Sequence, residues 1–421
     1  MSRWRETQIG ELLRVEHGFA FKGEYFSGAG DLTVLTPGNF HESGGFRARP
    51  DKDRFYLGKF PDRYLLKPRD LIVAMTEQGE GLLGSAAFVP ESGKYLHNQR
   101  LGLVRVKKGI ANKRFIYYLF NSNYVRQQIR NSSSGAKVRH TSPERIYRVK
   151  VLVPDEQSQQ RIGAILSAYD DLIDKNVRCI VLLRKLADEV YREWFIRFRF
   201  PGSQRVSIHK GVPDGWERKT LPELAHITYG FAFDGSRFNS EGRGKPIIRI
   251  RNIPDSSTTD YTEEQAKDKY IVLGGDLLIG MDGEFHINHW YGEEAYLVQR
   301  VCRIKAKNPL HQGYLAQALR APIKHFESIL MGATVGHLGA THLRSIFLII
   351  PPETAVRLQF FNQIYGRELL LARTVRALSR TRDLLLSRLI SGKLPVEHLD
   401  IQFPPDIAEE LLAESRATAR A

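Results

Sequence analysis

The chain has 421 residues, 42% apolar and 26% charged, enough for two to four domains with separate cores and too balanced for wholesale disorder. No apolar run approaches the roughly 20 residues that span a bilayer, Met1-Ser2-Arg3-Trp4-Arg5-Glu6 opens no signal peptide, and Cys179 and Cys302 alone make neither a disulfide framework nor a thiolate zinc site. A cytoplasmic protein with no membrane contact is expected, and its net charge of +15 suggests a polyanionic partner.

Taken in chain order, residues 1–150 come first, with 26 Lys/Arg against 14 Asp/Glu. Between Arg105 and Lys150 there are 12 bases and one acid, Glu144. A surface so one-sided draws in nucleic acid by counterion release, although a solvated basic face would look the same and composition does not choose DNA over RNA. Within this region the apolar runs 70–75 and 101–106 predict strands, and 115–130 predicts a helix. From Ile162 the apolar spacing becomes 4-3-4-3, through Leu166, Tyr169, Ile173, Asn176, Ile180, Leu183, Ala187, Val190 and Trp194. That is a heptad seam, and the polar Asn176 within it is a device that fixes register and pairing. Further strands are predicted at 277–281 and 346–350, and a helix at 314–330. A second seam follows at Leu371, Val375, Leu378, Arg382, Leu385 and Leu389. Pro154 and Pro351 stand just ahead of the two seams, where proline is tolerated. Two surface helices packed on their own domains are the plainer alternative, but a seam that runs for several heptads and occurs twice favours mutual pairing.

The chain is also an internal duplication. Gly18-Phe19-Ala20-Phe21 returns as Gly230-Phe231-Ala232-Phe233, and Trp4 returns as Trp216, both 212 residues on. Asp70-Leu71-Ile72-Val73-Ala74-Met75 returns as Asp276-Leu277-Leu278-Ile279-Gly280-Met281, and Gln99-Arg100 as Gln299-Arg300. Gly135-Ala136-Lys137-Val138-Arg139-His140 matches Gly332-Ala333-Thr334-Val335-Gly336-His337, and Val151-Leu152-Val153-Pro154 matches Leu348-Ile349-Ile350-Pro351. The order is kept and the offset drifts only by small loop deletions, so a whole domain and its following helix occur twice. The expected fold is α+β: two globular α/β domains separated by two long antiparallel coiled-coil helices in a pseudo-twofold arrangement. The boundaries are 1–152 and 201–350 for the domains, 153–200 and 351–396 for the helical spacers, and 397–421 for a tail.

A search for catalytic parts finds none. No Asn/Asp-Pro-Pro-aromatic loop is present, since Pro351-Pro352-Glu353 and Phe403-Pro404-Pro405-Asp406 have the wrong neighbours. Pro213-Asp214 beside Glu217-Arg218-Lys219 lacks nuclease spacing, and Gly242-Arg243-Gly244-Lys245 is followed by Pro246 rather than a Walker hydroxyl. His286 and His289 near Glu284 lack a third metal ligand. A reader fits better than a catalyst, with no cofactor or metal of its own.

These residues resemble the specificity subunit of type I restriction–modification systems. Asp170-Asp171-Leu172-Ile173, Leu182-Leu183-Arg184-Lys185-Leu186-Ala187 and Tyr191-Arg192-Glu193-Trp194-Phe195, with Phe198-Arg199-Phe200-Pro201-Gly202 trailing, look like that family's central conserved region. Leu389-Ile390-Ser391-Gly392-Lys393-Leu394 looks like the end of its distal one, and the Gly-Phe-Ala-Phe segments and Gly38-Asn39 mark the recognition domains. The resemblance spans 1–396. It implies a non-catalytic subunit that reads a split double-stranded DNA target, one half per domain. It also implies two modification subunits that carry S-adenosylmethionine and methylate adenine, and restriction subunits that use ATP and Mg. The helices would act as a ruler: from Ile162 to Trp194 a helix runs about 48 Å, against 34–36 Å per turn of B-DNA.

Half-sites that differ in sequence require side chains that differ at equivalent places. The loops after the Asp-Leu strands offer Thr76, Glu77, Gln78 and Glu80 in one copy and Asp282, Glu284, His286, Asn288 and His289 in the other, side-chain types that bond base edges; ordinary solvated polarity is an equal alternative. Lys137, Arg139 and His140 beside Gly135, and Thr334 and His337 beside Gly332, are the expected phosphate contacts. Arg47, Arg49, Arg249, Arg251 and Asn252 follow. Residues 216–350 hold 16 bases and 15 acids, so the first domain is expected to supply most of the electrostatic affinity. The shared Gly-Phe-Ala-Phe is read as core and turn. Three rival readings stand beside this one: an enzyme with an unfamiliar site, a coiled-coil scaffold, and a single-strand or RNA binder stacking bases on Phe115, Tyr117, Tyr118 and Phe120.

Overall fold

A computed structural model describes residues 4–78, 81–135, 137–330, 336–352, 356–399 and 401. The first copy is closed by its own ends, Arg5–Gln8 pairing antiparallel with Lys150–Val153. Inside it lies a four-stranded antiparallel sheet ordered Leu13–His17, Leu101–Val106, Leu71–Ala74, Ala86–Phe88. A small outer sheet is ordered Phe26–Ser27, Phe55–Tyr56, Leu32–Val34, Lys94–Leu96, its last pair parallel.

The second copy repeats this plan: Glu217–Thr220 pairs with Phe347–Ile350. The inner sheet is ordered Ala225–Tyr229, Val301–Ala306, Leu277–Gly280, Ile287–His289. In its outer sheet Lys245–Ile248 runs parallel to Ala295–Leu297. The predicted strands therefore lie where expected, and all four residues of Leu71–Ala74 and of Leu277–Gly280 are buried, as apolar runs at the centre of a sheet should be.

Two helix predictions need correction. The stretch 115–130 is two helices, Lys113–Phe120 and Asn123–Asn131, because Ser122 accepts the Val125 N–H and starts a new helix. The stretch 314–330 is likewise Gln312–Ala318 and Arg320–Leu330, with Pro322 in the first turn of the second helix, where a missing N–H costs nothing.

The two seams form helices Glu156–Tyr191 and Val356–Ile390, of 36 and 35 residues. The first starts where Asp155 accepts the Ser158 N–H at 2.9 Å, and it ends in a π turn, Arg192–Ile196. Burial follows the heptads. Leu166 is fully buried, Tyr169, Ile173, Asn176, Ile180 and Leu183 are half-buried, and the neighbouring Leu172, Val181 and Leu182 are exposed. On the second helix Leu371, Val375, Leu378, Arg382 and Leu385 form the half-buried stripe.

By contacts the chain divides into two compact units, Met1–Leu172 with Leu378–Ala421, and Ile173–Ala377. The division falls within the long helices, whose ends belong to the domain cores. In the first unit Ile162, Leu166, Leu389 and Ile390 share one apolar cluster with Leu71, Phe115 and Phe120. In the second, Ala187, Leu358, Phe361 and Ile364 cluster with Leu277, Tyr314 and Trp216. Each unit thus contains an antiparallel helix pair: Asp170 meets Arg382 while Arg161 meets the carbonyl of Glu397, and Arg184 meets Glu368 while Trp194 packs on Phe360. Among the described residues no helix is long and apolar enough to cross a membrane.

Candidate nucleic-acid interface

The duplicated Gly-Phe-Ala-Phe segment is structural, as its sequence suggests. Phe19 bridges Asn98 and Phe231 bridges Val298, both in parallel. A Cβ on Gly18 would stand 2.1 Å from the Asn98 carbonyl oxygen, and one on Gly230 2.1 Å from that of Val298. The phenyl rings pack edge-on within each segment, 5.1 Å apart in the first copy and 4.8 Å in the second.

In the first domain the polar loop after Leu71–Ala74 meets the Gly135 turn. Thr76–Gln78 pairs antiparallel with Val138–His140, setting Gln78 opposite Val138, Arg139 opposite Glu77 and His140 opposite Thr76. Two segments singled out separately in the sequence are therefore one ribbon. Gly135 allows the turn, with φ of +98° and room for no side chain, since a Cβ would lie 2.0 Å from the Val138 carbonyl oxygen. Gln78, Lys137 and His140 are exposed and Arg139 is half-buried. His140 Nδ1 lies 3.2 Å from the Thr76 hydroxyl, and Arg145 donates to the Ser134 hydroxyl at 2.9 Å, bracing the turn.

Glu77 departs from expectation. It is 2% exposed, and one carboxylate oxygen accepts the N–H groups of Gly81, Leu82 and Leu83 at 2.9–3.0 Å. Three backbone donors hold it inside, so it shapes the loop and reaches no base edge. Glu80 and Ala136 lie outside the described residues.

The second domain has the equivalent bridge with different side chains. Asp282 bridges His337, whose Nδ1 donates to the Asp282 carboxylate at 2.5 Å. Arg300 joins them, 3.2 Å from both Asp282 and His337. Arg300 was not singled out as a reader from the sequence; its signal was the duplicated Gln-Arg that places it and Arg100 alike. Thr334, with Gly332, lies outside the described residues.

Three further candidates have internal partners or are buried. Asn288 donates to the carbonyls of Ile253 and Pro254 and accepts from Arg184, so its amide is spent inside its unit. His289 is 6% exposed, its ring 4.5 Å from that of Tyr365. Burial, and behind it the charges of Arg184 and Arg320, push its pKa down to about 3, so it is neutral at pH 7. Asn252 is also buried and accepts the Arg249 N–H at 2.9 Å, the same cap that Asn39 makes on Thr36. His286 stays half-exposed, 3.1 Å from Glu284.

The remaining cations differ between the copies. Among the described residues no ion pair reaches Arg47, Arg49, Lys137 or Arg139. Arg49 folds its guanidinium over Gly38, and Arg47 is exposed. In the second domain Arg251 grips Asp260 through both oxygens, at 2.5 and 2.8 Å, with Arg249 3.9 Å away, and Arg300 is held by Asp282. Of these cations, Arg249, Arg251 and Arg300 of the second domain are thus held by carboxylates, whereas Arg47, Arg49, Lys137 and Arg139 of the first, among the described residues, are not. The rings offered for base stacking are core: Phe115, Tyr118 and Phe120 are at most 4% exposed, and Tyr117 packs on Phe88. Among the described residues no group of three or more His, Cys, Asp or Glu could hold a metal ion.

Residues 1–178 and 213–362 each match the family model for the type I restriction modification DNA specificity domain. The chain is 31% identical over 202 residues to the EcoBI type I restriction enzyme specificity subunit of Escherichia coli, covering 46% of this chain and 42% of that protein, so it spans less than half of that relative. It is 24% identical over 332 residues to the MjaIX specificity subunit of Methanocaldococcus jannaschii, covering 72% of this chain and 73% of that one. Its fold is similar to that of a type I restriction-modification S subunit from M. genitalium, with a TM-score of 0.56 at 14% identity over 92% of this chain and 96% of the other.

Proposed function

The chain belongs to the type I restriction modification DNA specificity family, carrying its domain twice, and from that premise we propose that each domain reads one half of a split double-stranded DNA target. The observation that carries this is the bridge found in both copies on the same backbone, where a shared histidine, His140 or His337, meets Thr76 in one copy and Asp282 in the other, and the exposed tip beside it is Gln78 in the first and Glu284 in the second. A shared scaffold with unshared polar tips suits two half-sites of different sequence. The chain itself is the non-catalytic reader. Two modification subunits supply S-adenosylmethionine and methylate, and restriction subunits supply ATP- and Mg-dependent cleavage. The long helices carry the partners and set the gap, and the assembly works on DNA in the cytoplasm.

Lys137, Arg139 and His140 touch phosphate in this reading, and Gln78 faces the bases. Replacing both cations, Lys137→Gln with Arg139→Gln, weakens binding to all sequences alike. It makes the slope of log affinity against log salt shallower by about 1.8, at roughly 0.9 per phosphate contact. Arg251→Gln leaves that slope within about 0.3 units, because Asp260 already neutralises Arg251. Fluorescence anisotropy over a salt series measures both. An unchanged slope in the Lys137/Arg139 variant would take the Gly135 turn out of the interface.

A further inference from the structure

Each compact unit contains a carboxylate, half-buried Asp170 in the first and buried Glu368 in the second, that ties a recognition domain to both long helices. In the first unit Asp170 accepts from the Tyr118 hydroxyl at 2.6 Å through one oxygen and from Arg382 at 2.6 Å through the other. Tyr118 belongs to the domain helix Lys113–Phe120, Asp170 to the first long helix and Arg382 to the second. In the second unit Glu368, on the second long helix, accepts from Arg184 on the first at 2.5 Å and from the hydroxyl of Tyr291. Arg184 also reaches the Tyr291 oxygen at 3.2 Å, and Arg376 donates to the Tyr291 carbonyl at 2.7 Å.

The two constellations are duplicates with one part moved. Asp170 and Glu368 are 198 residues apart, and so are Arg184 and Arg382. In both, a copy's helix gives the carboxylate, the other copy's helix gives the arginine, and the copy's own domain gives the tyrosine. The tyrosines are not at equivalent positions: Tyr118 lies in a helix, and Tyr291 follows the strand Ile287–His289. The same contact has thus been reached from two places in the domain.

We propose that these Tyr–carboxylate–Arg triads are positioning residues that lock the register of the helix pair and the pose of each domain on it, and so fix the gap between the half-sites that the protein accepts. The proposal rests on the two-half reading above. An apolar heptad seam fits its partner again after a slip of seven residues, so leucine and isoleucine alone choose register poorly. A carboxylate shared by an arginine and a tyrosine fits one register only, because a slip parts it from both partners and, at buried Glu368, leaves a charge desolvated and unpaired. Such a pair adds little net stability, and its recurrence in both copies is better explained by specificity.

The test uses the complete complex with its modification subunits and DNAs bearing the mapped half-sites at the native gap and at gaps one base pair shorter and longer. Asp170→Asn with Arg382→Gln, and separately Glu368→Gln with Arg184→Gln, are expected to lower the ratio of native-gap to altered-gap methylation about tenfold, the equivalent of about 1.4 kcal/mol of coupling. If either pair fails to fold, Tyr118→Phe and Tyr291→Phe each remove one oxygen and lower the same ratio by a smaller factor. Methylation that falls in parallel on all three DNAs, with the ratio unchanged, overturns the positioning role and leaves the triads as packing. A wild-type complex that methylates no split motif overturns the two-half reading and this proposal with it, and that result is seen before any variant is made.

Discussion

Gly18→Ala and Gly230→Ala will each lower the thermal unfolding midpoint by about 10 °C, whereas Gly23→Ala and Gly235→Ala will leave it within about 1 °C. All four glycines belong to the same duplicated segments, 212 residues apart in each pair. At Gly18 and Gly230 the new Cβ meets backbone, the carbonyls of Asn98 and Val298 at 2.1 Å, so no side-chain rotation relieves the clash. The bridges Phe19 to Asn98 and Phe231 to Val298 must open. Overpacking against a fixed backbone costs about 3 kcal/mol, and a domain of this size loses roughly 2–4 °C per kcal/mol. At Gly23 and Gly235 a Cβ meets nothing within 4 Å. Differential scanning calorimetry on the four variants decides it; equal shifts at all four positions would mean that the segment is not held by these bridges.

Acid should unfold the second domain through His289. Its folded pKa is about 3 against about 6.5 in the unfolded chain, and the downward shift is caused first by burial. Between those values the unfolded chain binds a proton that the folded domain refuses. The stability conferred by the neutral ring is therefore intact above pH 6.5 and is lost progressively as the pH falls towards 3. At roughly 1.4 kcal/mol per pH unit, about 3 kcal/mol is gone by pH 4. His289→Phe removes that dependence and inserts the residue of the first copy, where Phe88 holds the same register opposite Leu71 that His289 holds opposite Leu277. Urea titrations at pH 7 and pH 4 should show the variant losing about 3 kcal/mol less than the wild type. His97 in the first domain, lowered to about 4 chiefly by burial, acts in the same direction and remains in both proteins.

The features legible in the sequence were those with a period or a copy. The 4-3 spacing from Ile162 to Trp194 states which side of the helix is covered, and the half-buried stripe through Asn176 and Ile180 follows it. The duplicated Asp-Leu runs gave the central strands because a sheet strand covered on both faces must be apolar throughout. The breaks after Phe120 and Ala318 were missed because apolar spacing continues across them, and only the Ser122 cap and Pro322 mark the new starts.

In the candidate site, the pairing of Thr76–Gln78 with Val138–His140 joins three-residue strands some sixty residues apart, too short to carry a pattern. Glu77, Asn288 and His289 look like solvated loop residues because polarity alone does not say which polar group has found internal partners. The triads were hidden for the same reason. Asp170, Arg184 and Glu368 sit among the many charges of two polar helices, and only the fold shows which of them meet across the helix pair and which tyrosine joins them.

The central claim is that two domains read two separated half-sites. Co-expression with the modification subunits, followed by genome-wide mapping of methylated adenines, tests it most directly. A two-domain reader gives a motif in two parts with a fixed unread gap, and exchanging residues 1–152 for those of another family member changes one part only. A continuous motif, or a change in both parts on that exchange, would contradict it.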